Sequence, residues 1–301
     1  MGPHRPSTCG EFTFGVYWCG LELDEGEVSS PRPKAQCEHL PEKGSHIMEI
    51  APGVHHIEGI NGSNSVLLVD EQMAIVETGL AGNGDAIVDY IKKLGRSPSD
   101  LRWILVTHFH HDHSGSDAEL HELTGARVVA HQDETVAASD GKLLLRTGTE
   151  AQGNQAPFWY RWMMSREGQY RRVEVEFHDT EVHEVVKHGD VIPVLGGVRV
   201  FHTPGHTPGS LTYLLEKPRV LFLGDSAINN IDRVSRPLTW DRAKRRQLDA
   251  SLRSLRDLDA TVASFGHGPP LLESPMGKIR ALTDRPYDLP TWRIALKNWR
   301  T

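Results

Sequence analysis

The stretch Thr107-His108-Phe109-His110-His111-Asp112-His113-Ser114-Gly115 decides how the rest of the chain reads. It follows the apolar run Trp103-Ile104-Leu105-Val106, which reads as a buried strand. It precedes Ser116-Asp117-Ala118-Glu119, a Ser-x-x-Glu capping box predicted to open a helix. The string therefore belongs to a strand-to-helix loop. In extended backbone, side chains two apart point the same way. His108 and His110 can thus offer two imidazoles to one cation, while Asp112 and His113, where the chain turns, face another. A metal-free His-rich surface tract is the plainer alternative, and His-x-His-x-Asp-His at a strand end disfavours it.

Three more candidate ligands lie downstream, each at the end of an apolar run and beside glycine. They are His206 in His202-Thr203-Pro204-Gly205-His206-Thr207-Pro208-Gly209, Asp225 in Leu221-Phe222-Leu223-Gly224-Asp225, and His267 in Ser264-Phe265-Gly266-His267-Gly268. A set of nitrogen and oxygen ligands recurring on strand-end loops suits a pair of borderline divalent ions, most simply two zinc ions per chain, with iron or manganese as alternatives.

On these residues the chain resembles the metallo-β-lactamase superfamily of metallohydrolases, and within it the glyoxalase II group. The resemblance runs from Met48 to about Gly268 in the order strand, motif, His, Asp, His. It implies that His108, His110 and His206 bind one metal, that Asp112, His113 and His267 bind the other, and that Asp225 bridges them. It also implies a four-layered αββα sandwich, an α/β fold of two mixed sheets with outer helices. Similar proteins carry Asp in the Thr-Gly motif after the third strand; here the motif is Glu77-Thr78-Gly79. A glutamate can still orient a ligand histidine, with a reach longer by one methylene. His55 and His56 are expected to be strand residues and His202 supporting structure, since the ligand pattern is already complete.

The chain length suffices for a full core, and among 301 residues, 38% of them hydrophobic, no apolar run approaches the roughly 18 residues of a membrane span. A net charge of −7 gives no electrostatic footprint for nucleic acid and leaves a small-molecule substrate as the expected partner. Cys9, Cys19 and Cys37 all precede Met48, so a cysteine nucleophile, ligand or disulfide is excluded from residues 48–301. No secretory or arginine-rich leader is evident, and the protein reads as cytoplasmic. Residues 1–47 mix Pro, Gly, Glu and Ser without period and read as a loose extension ahead of a hydrolase domain at 48–301.

From Met48 onward, Val54–Ile57, Ser65–Val69 and Ala74–Glu77 predict an antiparallel meander. A helix follows from about Asn83 to Leu94, with Ile87, Val88, Ile91 and Leu94 on one face and Gly95 just past its end. Further helices are expected at Ser116–Leu123 and from about Thr239 to Leu258, the latter with a leucine stripe at 248, 252, 255 and 258. Strands are expected at Arg127–Ala130, Val182–Val186, Val191–Leu195, Val198–His202, Leu211–Leu215, Val220–Leu223 and Ala260–Ser264. The 93 residues from His113 to His206 contain an insertion at about 141–180 that carries Phe158-Trp159-Tyr160-Arg161-Trp162-Met163-Met164. It reads equally as an apolar lid over the cleft and as a helical interface for a homodimer.

The expected chemistry is hydrolysis of an ester-like bond, thioester or lactone, by attack of a hydroxide bridging two metals, with Asp112 orienting it and shuttling its proton. Only 34 residues follow His267, where glutathione-binding glyoxalases carry a basic helical domain, which argues against glutathione specificity. Two alternatives stand beside hydrolysis: an iron-dependent persulfide dioxygenase on the same loops, and a non-catalytic binding module with a vestigial site.

Overall fold

The structure is a computed structural model that describes residues 47–147, 179–230 and 233–287. Its first sheet contains β1 (Met48–Ala51), β2 (Val54–Ile57), β3 (Ser65–Leu68), β4 (Met73–Val76), β5 (Leu101–Leu105), β6 (Arg127–His131) and, after the small hairpin β7 (Thr135–Ala137) and β8 (Leu143–Leu145), β9 (Glu184–Val186). These strands lie in the order β1-β2-β3-β4-β5-β6-β9. The first four form an antiparallel meander, and β4, β5, β6 and β9 run parallel. The second sheet is ordered β10 (Val191–Ile192), β11 (Val198–His202), β12 (Leu211–Leu215), β13 (Val220–Phe222) and, past the hairpin β14 (Ile228–Asn230) and β15 (Arg233–Ser235), β16 (Val262–Ser264). Only the β13–β16 pair in it is parallel.

The two-residue alternation of a strand sorts side chains into three apolar layers. Val66, Leu68, Ala74, Val76, Trp103 and Leu105 of the first sheet meet Val198, Val200, Leu211, Tyr213, Val220 and Phe222 of the second. Their neighbours Leu67, Ile75, Ile104 and Val128 point outward onto Ile87, Val88 and Ile91 of helix α1 (Gly84–Lys93) and onto Leu120. On the other side Leu214, Leu221 and Ala263 meet Leu248, Leu252 and Leu255 of a long helix at Arg242–Leu255 and Ile279 and Leu282 of a final one at Pro275–Asp284. Helix, sheet, sheet, helix is the expected four-layered sandwich.

The local readings hold where they rest on periodicity. α1 falls inside the expected span, and Gly95 follows it with φ +71°. β11 and β12 match the expected bounds residue for residue. β10 stops at Ile192 instead of Leu195, because Pro193 has no N–H for the ladder and Leu195 turns to φ +48°. The leucine-striped helix is shorter than expected and starts after Asp241, whose carboxylate accepts the N–H groups of Ala243 (2.7 Å) and Lys244 (3.3 Å).

The capping box at Ser116 does not form. A short turn α2 (His111–Ser114) precedes helix α3 (Asp117–Thr124), which has no side-chain cap. Ser116 Oγ instead donates to the Leu80 carbonyl (2.7 Å) and accepts from the Asn83 N–H (2.8 Å), and Glu119 accepts from the Gly84 N–H (3.1 Å). Both residues serve the start of α1, a tertiary demand that overrides the local motif. Residues 1–46, the Phe158–Met164 stretch and most of the expected insertion lie outside the described residues. Among the described residues, no helix is long and apolar enough to cross a membrane.

Candidate metal centre

Every candidate ligand sits within a few residues of a strand's end, at one edge of the sandwich. β5 delivers the motif: Val106 N–H bonds to Val129 (3.0 Å), and Thr107 C=O accepts from Leu211 N–H (2.8 Å), so backbone pairing continues past the strand to Thr107, where the chain bends. At His110 (ψ 139°) it turns into α2, with His113 N–H bonded to His110 C=O (2.9 Å). The loop between the strand and this turn brings His108 and His110 together, and the turn swings Asp112 and His113 elsewhere.

Two groups of three result. His108, His110 and His206 have one ligand atom each within 4.8 Å of one another, and so do Asp112, His113 and His267. In the first, His108 Nε2 and His206 Nε2 approach His110 Nδ1 at 3.1 Å and 3.0 Å. In the second, His113 Nε2 lies 3.2 Å from His267 Nε2 and 3.7 Å from Asp112 Oδ2, which is itself 3.3 Å from His267 Nε2. Asp225 lies between the groups. Its Oδ2 is 3.4 Å from His206 Nε2, while Oδ1 is 3.6 Å from His113 Nε2 and 3.8 Å from His267 Nε2. The first group is closed off from solvent, whereas Asp112 and His267 are 30% and 34% exposed, so the cleft opens on their side.

The donor chemistry fits cations. Glu77 Oε1 takes the Nδ1–H of His113 (2.8 Å) and the Thr107 hydroxyl, which turns His113 Nε2 toward Asp112, Asp225 and His267. Buried Asp225 Oδ1 has no hydrogen-bond partner. Imidazoles and carboxylates converging in a buried space are a donor set that a cation, displacing the imidazole protons, would satisfy. Gly266 lies directly beneath: a Cβ there would collide with Asp225 Oδ1 and His113 Cε1. Glu77 itself is not in ligand position, because it engages the nitrogen of His113 that points away from the centre. It orients the imidazole, from a backbone held at φ +62°.

The protein groups around each side chain set its charge. Burial holds His108 and His206 well below the usual histidine range, and it holds His110 at about 4, so all three imidazoles are neutral at pH 7 and able to ligate. Burial also opposes a charge on His113, but Glu77, Asp112 and Asp225 outweigh it and lift the group to about 10. His267 is raised in the same way: Asp225 and Asp112 overcome its burial. Burial works against ionisation of Asp112, yet His113 and His267 hold its carboxyl far below the ordinary range. Burial of Asp225 prevails over the same two histidines and pushes its carboxyl up.

Several residues that the sequence reading passed over shape this edge. Asn64, between β2 and β3, donates to the carbonyls of Phe265 (2.9 Å) and Gly268 (2.6 Å) and so holds the His267 loop. Ser63 N–H bonds to Asp112 C=O (2.7 Å). Asp117 accepts the Thr78 hydroxyl (2.7 Å) and, buried, is pushed up to about 8. Glu134 joins the loops of His110 and His206. The expected bystanders stay apart from the centre: His55 contacts Tyr90 (3.4 Å), and His56 contacts Asn64 (3.3 Å). His202 bonds the Pro208 carbonyl (2.9 Å) and stacks on His131 with ring planes 10° apart. His131, Asp133 and His202 form a further close group, but the lone pairs of stacked imidazoles lie in parallel planes and do not meet on one ion.

Comparisons with known proteins place the family and the fold. The metallo-beta-lactamase superfamily profile matches residues 59–267. A hydroxyacylglutathione hydrolase of Bradyrhizobium sp. (strain BTAi1) is 27% identical over 155 residues, which is 50% of this chain and 45% of that enzyme. An N-acyl homoserine lactonase of a Bacillus species is 26% identical over 132 residues, 44% of this chain and 40% of the lactonase. Each match thus spans less than half of the relative's length. Among solved structures, the metallo-β-lactamase MIM-1 of Novosphingobium pentaromativorans shares the fold, with a TM-score of 0.52, 20% identity, and coverage of 79% of this chain and 85% of that one. The matched profile covers more than half of the chain and spans the whole string of candidate ligands, and the chain belongs to the metallo-β-lactamase superfamily.

Proposed function

We propose that the protein is a metal-dependent hydrolase that cleaves an ester-like bond, a thioester or a lactone, in a small-molecule substrate. The observation that carries this reading is the split carboxylate of Asp225, one oxygen toward each group of three ligands. On this reading His108, His110 and His206 would hold one zinc ion, Asp112, His113 and His267 would hold a second, and Asp225 would serve both. Such a pair of ions would lower the pKa of water toward neutrality and polarise the scissile carbonyl.

The protein's own groups do the rest. His108, His110 and His206 stay neutral through burial and so remain ligands at working pH. Asp112 is an ionised acceptor on the open side of the cleft; its Oδ2 faces His113 and His267, and its other oxygen is the atom that takes the proton of the attacking water and returns it to the leaving group. The acyl carbon gains oxygen, the C–S or C–O bond breaks, and the products are a carboxylic acid and a thiol or alcohol. For a lactone both ends stay in one molecule. The hydroxyacylglutathione hydrolase of Bradyrhizobium and the N-acyl homoserine lactonase of Bacillus act on bonds of this class and support it.

The deciding experiment is elemental analysis of the purified protein together with turnover on a panel of thioesters, lactones and phosphodiesters. Two zinc ions per chain with thioester or lactone turnover is the expected result. One iron with oxygen consumption on a persulfide would replace hydrolysis by oxygenation, and low metal content without turnover would leave a binding module.

A further inference from the structure

We propose that Glu134 is a positioning residue for the His108–His110–His206 metal position alone, acting through the backbone of the two loops that supply it. The proposal rests on the metal reading above and adds to it a device that serves one of the two positions.

Glu134 ends a tight turn that follows β6, and it is 1% exposed. It is anchored from its own side: His131 Nδ1 accepts the Asp133 N–H (3.1 Å), and the Glu134 carbonyl accepts the Arg146 N–H (2.9 Å). Its carboxylate then takes three donors from two other segments. Oε2 accepts the Phe109 N–H (2.7 Å), and Oε1 accepts the Gly209 N–H (2.6 Å) and the Thr207 hydroxyl (2.8 Å).

The identity of those donors makes the assignment. Phe109 stands between His108 and His110, and Thr207 directly follows His206. One rigid group therefore ties the backbone beside all three imidazoles. Gly209 permits the approach, since a Cβ there would come within 2.7 Å of Oε1 and 2.8 Å of Cγ. The other position is braced by different residues: Glu77 on His113, Ser63 on the Asp112 carbonyl, and Asn64 on the His267 loop. Glu77 also reaches His108, through the Thr107 hydroxyl 3.0 Å from its Nδ1, whereas Glu134 touches only the loops of the first position, through two peptide N–H groups and the Thr207 hydroxyl. An ionised carboxylate suits three donors, whereas an amide of the same shape presents an NH₂ group to some of them.

The test is a zinc titration of metal-free protein against a competing chelator, with two stepwise constants fitted. The step lost in His206→Ala marks the first position. Glu134→Gln is expected to weaken that step by about 10- to 100-fold and leave the other unchanged. Thr207→Val, which removes one donor of three, should shift the same step less, and Glu134→Asp should keep part of the affinity. The proposal is overturned if both steps keep wild-type affinity in Glu134→Gln, or if both weaken by the same factor, as a general loss of structure would cause. Should Glu134→Gln fail to fold, Thr207→Val decides, and an unmoved or evenly shared shift there is equally fatal. A wild-type protein that binds zinc in neither step would instead remove the metal reading on which the proposal stands.

Discussion

Replacing Glu77 by Gln isolates what the unusual glutamate does for the open side of the centre. Glu77 Oε1 lies 2.8 Å from His113 Nδ1, and both side chains are almost fully buried, at 3% and 1% exposure. The amide keeps the shape and one acceptor oxygen, but it loses the charge shared by the His113 and Thr107 donors. A hydrogen bond to a charged partner contributes about 1.5–3 kcal/mol and a neutral one about 0.5–1.5, so the loss is about 1–2 kcal/mol. Felt wholly by the zinc-bound state, that corresponds to roughly five- to thirtyfold in the zinc dissociation constant of the Asp112–His113–His267 position, an upper figure at pH 7 because the His113 proton that zinc displaces is then held less tightly. The same change removes the largest contribution holding His113 up at about 10, and its protonation should move down when followed by NMR of the zinc-free protein. Chelator competition reads the two binding steps separately. An unchanged constant for that position, or an equal loss in both, would refute the orienting role of Glu77.

His110→Ala should abolish turnover and lower bound zinc by elemental analysis; retained activity would rule out the first position as drawn. Asp112→Asn should reduce kcat by at least about 100-fold, the low end for loss of a proton-transfer group. The circular dichroism of that variant should stay native, and near-normal turnover would remove Asp112 from the mechanism. Zinc binding at pH 7 should release protons from the Asp112–His113–His267 position, where His113 and His267 are held above the usual histidine range. Few should leave the other position, where all three imidazoles are already neutral. Calorimetry in buffers of different ionisation enthalpy measures this, and equal release from both steps would contradict it. Leu252→Ala should lower unfolding stability by about 2–5 kcal/mol in denaturant titration, because Leu252 is fully buried between its helix and the second sheet. A loss under about 0.5 kcal/mol, the range of surface changes, would contradict that packing.

The sequence by itself determined most strands of the two sheets and the residues able to meet at one edge, and the layer order followed from the family resemblance those residues carry. A two-residue period says which side chains share a face, as Val198 and Val200 do against Val66 and Leu68. The His-x-His-x-Asp-His spacing says that the imidazoles of His108 and His110 travel together. Only the tertiary structure decided which carboxylate serves which loop. Ser116 and Glu119 carry the pattern of a local cap yet bond to Leu80, Asn83 and Gly84, because α1 packs beside them with its own donors to satisfy. Glu134 shows no motif at all, since its partners Phe109, Thr207 and Gly209 lie far away along the chain and reach it only when β5, β6 and β11 bring their ends to one edge. Periodicity is a property of neighbours in sequence. Satisfying buried donors and acceptors is a property of neighbours in space, so the residues that brace the centre became visible only in the folded chain.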